Sequence, residues 1–130
     1  MIEGIPAPPH VAAFRFSGQL SGDDYDCCIA EIEARLHEYR RIGLFTDLAG
    51  MTGLSAEAMA KDLRYAVQKL GEYSRFARAA VVTDKQWLGR ISEFAGHLLP
   101  ATEVRAFEPA EADQALAWAA EVTPESNDPA

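Results

Sequence analysis

Two stretches place reactive side chains where an apolar run gives way to a helix start. "LFTDLAGMTGLSAEAM", Leu44 to Met59, carries Asp47, Thr52 and Ser55 around Gly50 and Gly53, and Asp84 and Lys85 follow the second run, "RAAVV". Two carboxylates beside an ammonium could do acid–base work, and a hydroxyl at a helix start could accept phosphate. Met51, Leu54 and Trp87 add apolar surface for a ligand or partner. Each residue also has a plain structural role. Ser55 suits an N-cap, worth about 1 kcal/mol, and Asp84 can cap the next helix. Gly50 and Gly53 allow tight backbone without implying a phosphate. Lys85 suits the surface, and Trp87 leads an apolar helical stripe as a core anchor.

Other chemistry is not advertised. Neither GxxxxGK[ST] nor GxGxxG occurs, and His10, His37 and His97 have no HxxxH or HExxH spacing. No nucleophile has an evident base partner. Cys27 and Cys28 are adjacent, so on a helix they point about 100° apart, too strained for a disulfide and too few for a zinc site. One core thiol, Cys28, and one surface thiol, Cys27, are expected. No catalytic set, metal site or cofactor is expected.

The elements that must position these residues are legible from periodicity. Ile2–Ile5 and "VAAFRFSG", Val11–Gly18, suggest an antiparallel edge hairpin. Ser21 with Asp24 three residues on marks a helix start, followed by Tyr25, Cys28, Ile29, Ile32, Leu36 and Tyr39 as its stripe, ended by Gly43. Leu44–Leu48 is a strand, and a second helix begins near Ser55. Arg78–Asp84 is a strand, and a third helix starts at Trp87. Glu103–Phe107 is the last strand, and Pro109 opens a final helix holding Ala112, Ala115, Leu116 and Ala119. Alternating strands and amphipathic helices imply an α/β fold with a mostly parallel sheet of about five strands and four main helices. In such a sheet the stretches Ser17–Asp23, Asp47–Ser55 and Thr83–Trp87 should gather as loops at the carboxyl ends of the strands, where ligands usually bind.

The 130 residues, 48% hydrophobic, suit one domain over residues 1–122, with 123–130 as a disordered acidic tail. A formal charge of -8 argues against nucleic acid and anionic lipid as partners. No apolar run is long enough for a transmembrane segment, and Glu3 with early prolines stands where a signal peptide needs a basic, then apolar stretch. A cytoplasmic location is expected.

These pieces resemble the SpoIIAA-like family, related to STAS domains, the fold of anti-sigma-factor antagonists and sulfate-transporter modules. The resemblance is carried by "SGQLSGDDY" (Ser17–Tyr25), "TDLAGMTGLSAEAM" (Thr46–Met59), "RAAVVTDKQWL" (Arg78–Leu88) and "EVRAFEPAEADQALAW" (Glu103–Trp118). It implies a five-stranded sheet flanked by helices, and no catalytic mechanism. STAS antagonists switch by phosphorylation of a serine in a "DSSG" turn. The matching stretch here is Ser55, Ala56, Glu57 and Ala58, which puts Ala56 and Glu57 at the serine pair and leaves Ser55 or Thr52 as phosphoacceptors by position. The family is also likened to lipid-carrying folds, which implies an apolar ligand near Met59, Leu63, Tyr65, Leu88, Ile91 and Phe94. The expected function is a non-catalytic regulatory domain binding a protein partner or a small apolar molecule at the rim, with homodimerisation open. The alternatives are a phosphorylatable antagonist and a small enzyme using Asp47, Asp84 and Lys85.

Overall fold

The computed structural model describes residues 1–54, 61, 65, 75–85, 102–122 and 125–126. Strand β1 (Ile2–Gly4) pairs antiparallel with β2 (Val11–Leu20), setting Glu3 opposite Arg15. Ser21 then starts helix α1 (Gly22–Glu38) with a capping box. Its hydroxyl accepts from the Asp24 N–H, and the Asp24 carboxylate accepts from the Ser21 N–H at 3.0 Å. Those hydrogen bonds, backbone first and side chain second, hold the Asp24 carboxyl below its usual range. The buried stripe of α1 is Cys28, Ile32 and Leu36, as the spacing requires, and Cys27 is exposed.

The helix does not run on to Gly43. It stops at Glu38, and Tyr39 opens β3 (Tyr39–Leu54). The Arg75 guanidinium donates to the carbonyls of Leu36, Tyr39 and Arg40, capping the helix end from a distant part of the chain. β4 (Phe76–Val82) and β5 (Glu103–Phe107) complete a sheet ordered β1-β2-β3-β4-β5, with every pair parallel except the first. A 3-10 turn at Pro109–Glu111 leads into α2 (Ala112–Ala120).

From β2 to β5 the order steps in one direction without reversing. A right-handed crossover from β2 to β3 puts α1 on one face. α1 and Tyr65 pack there, on Ala12, Phe14, Phe16 and Ile42. α2 follows the last strand, makes no crossover, and covers the opposite face through Val11, Ala13, Phe45, Ala80, Val82 and Phe107. Alternation along β2 feeds both cores from one strand.

Of the four expected helices, α1 and α2 are described. Those beginning near Ser55 and at Trp87 lie outside the described residues, apart from Lys61 and Tyr65, which are helical. Phe14, Phe16, Ile32, Leu36 and Val82 are buried as expected, Val81 is half-buried, and Ile91 lies outside the described residues. Of the tail expected to be disordered, residues 123–124 and 127–130 lie outside the described residues. Glu125–Ser126 forms β6, antiparallel to Tyr39 and Arg41. The start of β3 precedes its first pairing with β2 and β4, and β6 pairs with it there.

α2 seats on the sheet by close approach. A Cβ on Gly43 would lie 2.2 Å from the Ala119 carbonyl oxygen, so only glycine fits. Around it the helix end is satisfied by side chains. His10 Nε2 donates to the Ala120 carbonyl at 3.0 Å. Arg78 donates to the Trp118 carbonyl and to Glu121, each at 2.8 Å, and lies over the Trp118 ring. Cations at a helix C-terminus favour this arrangement.

Leu36→Ala should cost about 2–5 kcal/mol in denaturant unfolding, since the side chain is 2% exposed. Gly43→Ala should cost about 1–3 kcal/mol and loosen the Trp118 environment in near-UV circular dichroism. A loss below about 0.5 kcal/mol for either would show that helix seated loosely on the sheet.

Candidate functional site

The rim expected to be loops is mostly strand. β1 stops pairing with β2 at the Met1–Ser17 hydrogen bond, and β4 stops pairing with β3 at Asp47–Val82. β2 and β3 continue as a two-stranded ribbon, with Ser17 opposite Gly50, Gly18 opposite Met51, Gln19 opposite Gly53 and Leu20 opposite Leu54. The glycines expected to make a turn instead accommodate irregular pairing. Gly18 has a φ of 63°, and a Cβ on Gly50 would press on the Phe16 carbonyl at 3.2 Å.

Two register shifts shape the ribbon, and each inserts one extra residue into β3. The first lies between Asp47 and Gly50. Asp47 Oδ1 accepts from the Ala49 N–H at 3.0 Å, while its other oxygen faces Arg15 Nε at 3.7 Å. This shift changes the alternation, so Leu48 and Met51, three residues apart, both pack on the α1-side core. The second shift skips Thr52, which has no register partner in β2 and is exposed. Ser17, Gly18, Gln19 and Gly50 are exposed beside it.

On the neighbouring strand, buried Thr83 donates its N–H to the Phe107 carbonyl and accepts from the Lys85 N–H through its hydroxyl. Lys85 pairs with adjacent Asp84 at 3.8 Å, and both are exposed. Asp47, Asp84 and Lys85 therefore share one end of the sheet but not one charge network. The Asp47 carboxylate is engaged by Arg15 and Ala49, and the Lys85 ion pair is local. Met51 is partly covered by its own core rather than standing free at a loop. Leu54 ends the ribbon opposite Leu20, while Ser55 and Trp87 lie outside the described residues. No group of three or more metal-ligating side chains occurs among the described residues, and none of their helices is long and apolar enough to cross a membrane.

With this geometry the comparisons with known proteins agree. A model of the SpoIIAA-like family matches residues 11–120. The chain belongs to that family. A solved relative in shape is an uncharacterized protein from the DUF3478 family, with a SpoIIAA-like fold, from Shewanella loihica PV-4. It is 22% identical, with a TM-score of 0.66 over 89% of this chain and 92% of its own. At that identity the likeness concerns the fold. No curated protein matches the chain.

In this SpoIIAA-like chain the rim residue that sequence patterns missed is Arg15. Its outward position in "FRF" was legible from alternation, but its Asp47 partner, 32 positions away, was not. The signal available for Asp47 was local: an aspartate two residues before a backbone N–H that needs an acceptor. Asp47→Ala should cost about 1–3 kcal/mol by leaving the Ala49 N–H unpaired, whereas Arg15→Ala, half in water, should cost about 0–1 kcal/mol. Unfolding at low and high salt checks this. Equal, salt-sensitive losses would assign Asp47 to the ion pair alone.

Proposed function

We propose that this SpoIIAA-like chain is a non-catalytic, STAS-like regulatory domain acting in the cytoplasm, and that it recognises a protein partner through the β2–β3 ribbon. The observation that carries this reading is the shape of the rim. Ligand crevices in open α/β sheets form where strand order reverses. The order from β2 to β5 does not reverse. What the rim offers instead is a ribbon with exposed Ser17, Gln19 and Thr52, half-buried Met51 beneath, and Asp84 with Lys85 alongside. Such a projecting polar surface over an apolar base suits contact with another protein. A small apolar ligand is the second occupant, supported by Met51 and Tyr65 in one partly buried cluster.

The bulge at Thr52 favours one further regulatory reading, a phosphorylatable antagonist, because its hydroxyl stands exposed at the rim. Acid–base catalysis by Asp47, Asp84 and Lys85 has less support, since Asp47 already serves the bulge.

Native mass spectrometry of the protein purified from its host tests the proposal. The expected spectrum carries a bound protein, either a second copy or another chain. Thr52→Arg should abolish that binding, and Lys85→Ala should weaken it, while both variants unfold at nearly the wild-type temperature. A retained small molecule with no protein would favour the apolar ligand. Stoichiometric phosphate on Thr52 or Ser55 would favour the antagonist. A bare monomer in every preparation would remove the rim from consideration.

A further inference from the structure

β5 ends the strand order, so one of its sides has no neighbouring strand among the described residues. A single hydrogen bond tells which groups face that side. The Phe107 carbonyl accepts from the Thr83 N–H, just past β4, so Phe107 turns its backbone groups toward β4. By alternation Glu103 and Arg105 do the same, while Val104 and Ala106 turn theirs outward. Side chains alternate as well. Phe107 packs in the α2 core, which places Glu103 and Arg105 on that same face of the sheet. Both are exposed. Arg78 Nε approaches one Glu103 carboxylate oxygen at 3.9 Å, and the Arg105 guanidinium lies 4.9 Å over the Phe107 ring.

Sheet edges are commonly protected by charged side chains. Here the protection has a particular form, one glutamate and one arginine placed symmetrically about Val104. We propose that β5 pairs antiparallel with β5 of a second copy of this chain, about a two-fold axis at Val104. In that register Val104 meets Val104 of the other copy and the two exchange backbone hydrogen bonds. Glu103 of each copy then stands opposite Arg105 of the other, at the non-hydrogen-bonded positions where side chains approach most closely. The adjacent registers fail. An axis at Glu103 sets glutamate against glutamate, and an axis at Arg105 sets arginine against arginine. Thr102 and Ala106 have further contacts of their own, so the pairing rests on Val104 and its two neighbours. So short a ladder gives a weak dimer that depends on concentration. The edge stands apart from the β2–β3 ribbon and does not depend on the function assigned there.

Sedimentation equilibrium of the full chain, in a concentration series reaching about millimolar, tests the pairing. Wild type should dimerise reversibly, and more weakly at high salt. E103R sets two arginines against two arginines, and R105E sets two glutamates against two glutamates. Each alone should raise the dissociation constant about tenfold or more. Mixed together, the two variants present arginines to glutamates at both positions, so the mixture should dimerise as wild type does. Val104→Pro removes the outward N–H, a change that an edge strand tolerates, and should abolish the dimer. Thr52→Arg should leave it intact, which separates this edge from the ribbon. Circular dichroism should show every variant folded, since the changed groups face solvent. A wild type that stays monomeric throughout the series would overturn the proposal. So would a mixture no more dimeric than either variant alone, or a dimer that Val104→Pro leaves intact.

Discussion

The parallel register between β2 and β3 is the constraint on which the other contacts depend. Val11 lies opposite Gly43 and Ala13 opposite Phe45, and these four residues face α2 or make room for it. Ala12, Phe14 and Phe16 alternate to the other face and meet α1. A slip of one residue would turn every one of these side chains to the wrong core. It would also remove the glycine from beneath Ala119 and separate Arg15 from Asp47.

That register holds because both ends of the pair are anchored by different chemistry. At the amino end the Gly43 N–H donates to the His10 carbonyl, and the His10 ring reaches the last turn of α2. Arg78, in register with Gly43, adds a guanidinium against the same helix end. At the carboxyl end the ladder is deliberately irregular. Each extra residue in β3 twists the ribbon and resets which side chains face inward. Met51 goes into the core and Thr52 stays in water for that reason.

Charge follows the same division between structure and surface. Arg35, Arg75 and Arg78 all donate to backbone carbonyls, so these three cations serve the chain's own helices and strands. Arg35 reaches from α1 to the Val11 carbonyl at 2.8 Å, tying that helix to the first residue of β2. Lys85 and Arg15 keep more of their surface in water, each near a carboxylate.

By itself the sequence determined what depends on near neighbours. Ser21 and Asp24 announce the start of α1, and Cys28, Ile32 and Leu36 announce its buried stripe, because helical geometry brings residues three and four apart together. The alternation in "VAAFRFSG" and the order of strands and helices likewise led to an α/β sheet with an antiparallel edge. Only the tertiary structure decided how far β3 runs. "LAGMTGL" has turn composition, yet the facing residues Ser17–Leu20 supply a partner strand, and pairing overrides local preference. The end of α1 at Glu38 was equally illegible, since Arg75 closes it from 37 positions away. So were the pairing of Glu125 with Arg41 and the strand order, which does not reverse from β2 to β5. Each of these depends on which distant backbone groups meet, and a linear pattern of side chains carries no record of that.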